Sequence, residues 1–142
     1  MSELPPGKTA VRTANASALP PHFSPAIVAP AAGRLVFVSG MTAKTANGSI
    51  AGIDDAGAQT VQVCENLASA LAEAGGTLAD VCEVTVYLQR IADYQAVNEV
   101  RLQYFPSPAP ASTLVEVSRF VSDDYLVEIS AIAVIPAAGS RG

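Results

Sequence analysis

PSPAPASTLVEV, residues 106–117, sets three prolines ahead of a run that turns apolar and β-branched. Each proline fixes φ and withdraws a backbone donor, so the stretch cannot be helix interior or central strand. It reads as a stiff, extended lead-in to Leu114. Whatever Ala111, Ser112 and Thr113 present, they present firmly. Taken alone, the stretch fits a surface crossover whose chain entropy has been trimmed by proline. What it holds up has to come from its neighbours.

Working outward, residues 81–90 alternate, with Cys82, Val84, Val86 and Leu88 on one face and Glu83, Thr85, Tyr87 and Gln89 on the other. That is the pattern of a strand in a sheet with one covered face. Asp93 is placed to cap a helix running from Tyr94 to about Phe105. Beyond the prolines, strands are expected over 114–120 and 126–135, separated by the polar connection Ser122-Asp123-Asp124. Upstream, residues 8–13 read as a short first strand, and 14–24 as a loop holding a Pro-Pro pair and the lone histidine, His22. A strand over 25–30, a turn at 31–34 and LVFVSG at 35–40 suggest a hairpin, its second strand apolar enough to be buried on both faces. After a turn at Asn47-Gly48, Ile53-Asp54-Asp55 opens the clearest helix, which runs through about Ala74. Val61, Cys64, Leu67, Ala68 and Leu71 form its apolar stripe, and Gly75-Gly76 stops it.

The order is strands, helix, strand, helix, strands. It suits an α+β sandwich, with two helices on one face of a mixed sheet and the other face left to find its own cover. A small, weakly charged domain often finds that cover by oligomerising.

Composition narrows the function. A chain of 142 residues, 50% hydrophobic and 15% charged, suits a single domain, 1–142, with one core. Its net charge of −5 and eight scattered basic residues give no stripe to neutralise phosphates, so neither nucleic acid nor an acidic membrane is an expected partner. Cys64 and Cys82 lack metal-site spacing and read as core residues of a protein in a reducing cytoplasm. No secretory leader and no membrane-spanning apolar run is seen. A Gly-rich phosphate loop, a His-Glu metal pattern and a G-x-S-x-G elbow are all missing from the sequence, so neither cofactor nor metal is expected.

Two stretches carry chemistry. In LVEISAIAV, Glu128 shares a strand face with Leu126, Ser130 and Ile132, an expensive place for a carboxylate. Burial there would disfavour the charged form and make Glu128 a candidate general acid or base. The plainer alternative is an edge-strand glutamate facing water or a partner chain. In DYQAVNEVRLQYF, Asn98 and Arg101 stand at i and i+3 on one helix face, as ligand-binding groups or as a solvated surface. Ser39, before Gly40, offers a hydroxyl and nearby backbone donors, or simply closes its strand.

FSPAI at 23–27, LVFVSGM at 35–41, NEVRLQYFP at 98–106, and PASTLVEVSRF followed by VEISAIAV resemble, in order and spacing, the Rid family of reactive-intermediate deaminases, from about Pro20 to Val134. The resemblance implies a chorismate-mutase-like sandwich that forms a homotrimer around a central β-barrel, with ligand clefts between subunits. Whether trimers pair further is left open. It also implies cofactor-independent hydrolysis of enamines and imines to ketones and ammonia. On this likeness the acid handling the attacking water is Glu128, and Ser39, Gly40, Asn98 and the backbone of 112–114 fall near the ligand.

The departures from the pattern matter as much. The family's arginine after Pro-Ala, a two-pronged grip on the substrate carboxylate, is here Ser112, followed by Thr113. A serine cannot replace a guanidinium fork. The usual cysteine is Leu114, the aromatic of the tyrosine-serine pair is Phe23, the tyrosine three residues after the asparagine is Arg101, and a common glutamate is Ser130. Arg101, Arg119 or a neighbouring subunit's arginine is left to hold the anion, which suits a longer or dicarboxylate substrate. Among family activities, deamination of 2-aminomuconate in aromatic-compound catabolism has such a substrate, and it is the expected reaction. A non-catalytic, metabolite-binding or regulatory trimer is the alternative. A ribonuclease fits poorly with an acidic chain that lacks a histidine pair.

Overall fold

The computed structural model describes residues 7–11, 13–14, 21–30 and 32–137. The expected loop at 14–24, the first strand's Arg12 and the turn's Ala31 therefore lie partly or wholly outside the described residues. Among these residues six strands and two α-helices follow in the order β1 (Thr9–Val11), β2 (Ala26–Val28), β3 (Gly33–Met41), α1 (Ala56–Glu73), β4 (Val81–Leu88), α2 (Tyr94–Tyr104), β5 (Ala111–Glu116) and β6 (Val127–Pro136). The main sheet has the order β3-β6-β4-β5, with β6 antiparallel to both β3 and β4, and β4 parallel to β5. A parallel β4–β5 pair needs a crossover, and α2 supplies it. The expected hairpin does not form: β2 pairs with β1, and β3 pairs along its length with β6.

One face of this sheet is covered. Val84, Val86 and Leu88 of β4 and Val127, Ile129, Ala131 and Ala133 of β6 pack in one cluster with Val63, Leu67 and Leu71 of α1 and Val97 and Val100 of α2. Both helices thus lie on the same side, as the alternation in β4 requires. Two details of the expected packing differ. A register shift between Val81 and Glu83 buries Val81 and leaves Cys82 half-exposed. The stripe of α1 runs through Gln59, Thr60, Val63, Cys64, Leu67 and Leu71, leaving Val61 exposed, because a fully buried glutamine and threonine extend the face beyond the apolar residues.

Helix ends follow the sequence closely in one case and not in the other. Asp55 caps α1 by accepting from Ala58 N at 3.0 Å. At the far end Gly75 N donates to Ala72 O and Gly76 N to Leu71 O, with Gly75 at φ 87°, the left-handed turn that ends many helices. Asp93 precedes α2 without capping it, because its carboxylate instead meets Arg90 Nε at 3.2 Å.

The opposite face of the sheet is open. β3 is buried on one side only: Leu35 and Phe37 are 58% and 70% exposed and lie across from Val134 and Ile132. Glu83, Thr85 and Tyr87 of β4 and Glu128 and Ser130 of β6 share that side, by alternation with their buried neighbours. No helix among the described residues is long and apolar enough to cross a membrane.

Candidate functional site

The proline run is fastened to the chain that precedes β2. Ser24 N donates to Pro110 O at 3.1 Å, Ser24 Oγ donates to Ala109 O, and Ser24 bridges Ala111. The stretch therefore delivers β5 at Ala111, three residues earlier than the sequence pattern suggested, and paired to β4 from Glu83 onward. Ser112 stands beside Val84 and so turns towards the helices, whereas Thr113 stands beside Thr85 on the open side.

On the helix side, Asn98 and Arg101 are 6% and 2% exposed, which removes the reading of this helix face as solvated surface. Arg101 Nη1 donates to Asn98 Oδ1 at 2.9 Å and Nη2 donates to Ser112 Oγ at 2.7 Å. The helix guanidinium thus lies against the position where the resemblance expects an arginine. Among the described residues no carboxylate lies within salt-bridge distance of Arg101, and two donors, Arg101 Nε and Asn98 Nδ2, are buried without an acceptor. Desolvation lowers the Arg101 pKa to about 10, so the group stays charged at neutral pH.

Next to this cluster, a cleft of about 330 Å³ is lined by His22, Tyr94, Gln95, Asn98, Glu99 and Leu102. His22 packs edge-on against Phe23 and Tyr94, with centroids 5.3 and 5.9 Å apart, and its Nε2 lies 3.4 Å from the Tyr94 hydroxyl. Burial, and secondarily the charge of Arg101, lowers the His22 pKa. Phe23 is half-buried at the edge of this group. Sequence reasoning named Phe23 but passed over His22 and Tyr94, whose roles depend on a contact between residues 72 positions apart.

On the open side, Glu128 is half-exposed, opposite Tyr87. The β3–β6 register slips between Val38 and Met41, so Ser39 and Gly40 form a bulge beside it. Gly40 gives the carboxylate its room: a Cβ built there would fall 2.8 Å from Glu128 Cδ and 3.0 Å from Cγ. Ser39 is exposed. Behind this strand the fully buried Gln59 aligns the start of β6, accepting from Leu126 N at 2.8 Å and donating to Asp124 O at 2.7 Å. Leu126 is consequently a core residue ahead of the strand and does not share the open face with Glu128. Gly52, at φ 67°, allows that approach, since a Cβ there would meet Gln59 N at 2.8 Å. Asn66 of α1 ties down the chain after the bulge by donating to Thr42 O and Lys44 O, both at 2.9 Å.

The candidate residues therefore fall into two groups. Asn98, Arg101, Ser112 and Phe23 gather on the helix side, whereas Glu128, Ser39, Gly40 and Thr113 lie on or beside the open face. Within one chain the sheet separates the first group from the second. Arg119 is exposed in the connection between β5 and β6 and joins neither group by a hydrogen bond or ion pair. No group of side chains able to hold a metal ion occurs among the described residues.

The α+β fold that carries these residues is one that known proteins share. The family model described as endoribonuclease L-PSP matches residues 13–135, and the chain belongs to that family, the Rid or YjgF family. It is 39% identical over 114 residues to the 3-aminoacrylate deaminase RutC of Acinetobacter baylyi, covering 80% of this chain and 90% of that one. The crystal structure of a Rid-family protein from Yersinia pestis, YyfB, superposes with a TM-score of 0.83 at 28% identity, over 91% of this chain and 99% of that one. A YjgF-family member from Mycobacterium tuberculosis gives 0.64 at 35% identity, over 79% and 86%.

Proposed function

We propose that this chain is a hydrolytic deaminase of enamines or imines that carry a carboxylate, with 2-aminomuconate as its substrate, and that it works without a cofactor as a homotrimer. Family membership and the likeness to a 3-aminoacrylate deaminase support the reaction class, since 3-aminoacrylate is itself an enamine bearing a carboxylate. The observation that carries the reading is Arg101: a buried cation with no carboxylate near it among the described residues is costly unless an anion arrives to balance it. The exposed Leu35 and Phe37 support self-association through the open face. For the two groups to act together, the assembly has to bring the Glu128 of one protomer to the Arg101 cluster of another.

In this mechanism the enamine first tautomerises to the imine. Glu128 takes a proton from water as the oxygen attacks the imine carbon, giving a carbinolamine. Glu128 hands that first proton to the nitrogen, completing the carbinolamine. In the collapse the hydroxyl gives up its own proton, also relayed to nitrogen, as the carbonyl forms and the C–N bond breaks, so ammonia and a ketone leave. Ser39 and the Gly40 backbone border the reacting end, and the Arg101 group holds the carboxylate in register.

The test is ammonia release from freshly generated 2-aminomuconate, from 3-aminoacrylate and from a short 2-imino acid, each with a Glu128→Gln control. Turnover of 2-aminomuconate that disappears in the control is expected. Turnover of only the short substrates would keep the reaction class and remove the dicarboxylate. Ser112, standing where the family's arginine would grip the substrate, favours one other reading, a trimer that binds a metabolite without turning it over. Saturable binding with no ammonia from any of the three substrates would establish that reading instead.

A further inference from the structure

Resting on the reading of this site as a carboxylate site, we infer that Arg101 is a positioning residue: it orients the Ser112 hydroxyl and the Asn98 amide into a two-donor seat for the carboxylate, at the foot of the His22–Tyr94 cleft. The directions of the hydrogen bonds carry the argument. A guanidinium can only donate. Because Nη1 donates to Asn98 Oδ1, the amide orientation is fixed, and Asn98 Nδ2, buried and without an acceptor, is left to donate. Because Nη2 donates to Ser112 Oγ, a hydroxyl lone pair is taken and its proton remains free for a ligand.

Arg101 stands behind these two groups, bonded to both. It is 2% exposed, and each of its terminal nitrogens already has one hydrogen committed, to Asn98 and to Ser112. Asn98 lines the cleft, and Ser112, half-buried, is joined to it through Arg101. A carboxylate has two oxygens for these two donors, and the guanidinium behind them supplies the balancing charge in a poorly solvated place, where it acts with little screening. Where the resemblance expects a guanidinium at position 112, a relay takes its place, with the charge one hydrogen bond behind the contact.

Calorimetric titration of the full chain with crotonate and with crotonamide tests this without requiring turnover. Wild type is expected to prefer crotonate. Ser112→Ala should weaken crotonate about tenfold, the loss of one charge-assisted hydrogen bond, and leave crotonamide nearly unchanged. Ser112→Thr, which keeps the hydroxyl, should restore binding. Arg101→Lys should raise KM for a carboxylate substrate with little change in kcat, because the charge remains while the fork that orients both donors is lost.

A direct grip by Arg101 predicts the opposite for Ser112→Ala: crotonate binding equal to wild type or tighter, because Nη2 is released. That result, or equal binding of crotonate and crotonamide by wild type, would overturn the inference. The two proposals fail separately. Crotonate binding with the expected variant pattern but no ammonia release would leave the seat and remove the deaminase. Ammonia release with an unaltered KM in Ser112→Ala would do the reverse.

Discussion

Arg101 and Glu128 are the charged groups on which the proposed chemistry turns, and the chain treats them differently. Arg101 is walled in by α2 and β5, bonded to Asn98 and Ser112, and 2% exposed. Glu128 lies on the uncovered face, in a notch left by Gly40, on the side where Phe37 is 70% exposed. The cation's surroundings are finished within one chain, and those of the acid are not. The difference teaches what the proposed assembly would have to supply: a second protomer to cover the acid, whereas the arginine would require only a ligand.

The largest effect should come from the acid. Glu128→Gln is expected to lower kcat by roughly 10²–10⁴-fold, the usual contribution of a positioned base, while crotonate titration stays at the wild-type value. Loss of crotonate binding in that variant would break the division between the two faces. Gly40→Ala should come next, costing about 10- to 100-fold in kcat with the fold intact, since the added methyl must push the carboxylate out of its notch. Steady-state rates with a circular dichroism control would check it, and wild-type activity would show that the bulge does not position Glu128.

Phe37→Glu should sharpen the comparison further. A charge in the middle of the exposed apolar side is expected to shift the mass in solution towards the monomer and to reduce activity with it, as measured by light scattering and ammonia release. Intact assembly would move the interface away from this face.

The smallest effect should be on stability. Desolvation lowers the Arg101 pKa from 12.5 to about 10, so at neutral pH the folded chain carries a cost on the order of 3 kcal/mol, relieved only as pH rises past the lowered value. Arg101→Met should therefore leave the Tm unchanged or raise it while carboxylate binding is lost. A marked fall in Tm would make Arg101 a structural residue.

Much of the framework was legible in the sequence because it rests on local chemistry. Asp55, Gly75-Gly76 and the alternation read over residues 81–90 placed α1 and β4, apart from Cys82, which the register shift leaves half-exposed. The false hairpin came from reading residues 31–34 as a local turn, when the decisive pairing is between β3 and β6, almost a hundred residues apart and invisible to any short window. Asn98 and Arg101 were recognised as one helix face, but their burial depended on β5 arriving at Ser112. Glu128 was singled out because a carboxylate amid apolar residues is costly. Its seat was not legible, since a missing side chain at Gly40 has meaning only once β6 lies beside it. Gln59 escaped notice for the same reason: a polar residue in a helix reads as exposed until the backbone groups it satisfies are known.

Mixing two inactive variants tests the central claim most directly. If the acid of one protomer works on a carboxylate held by another, co-refolding Glu128→Gln with Arg101→Met creates assemblies in which about a quarter of the sites pair an intact Glu128 with an intact Arg101 cluster. The account predicts that ammonia release returns to about that fraction of wild type. Mixed assemblies that form, as shown by native mass spectrometry, yet stay inactive would contradict it.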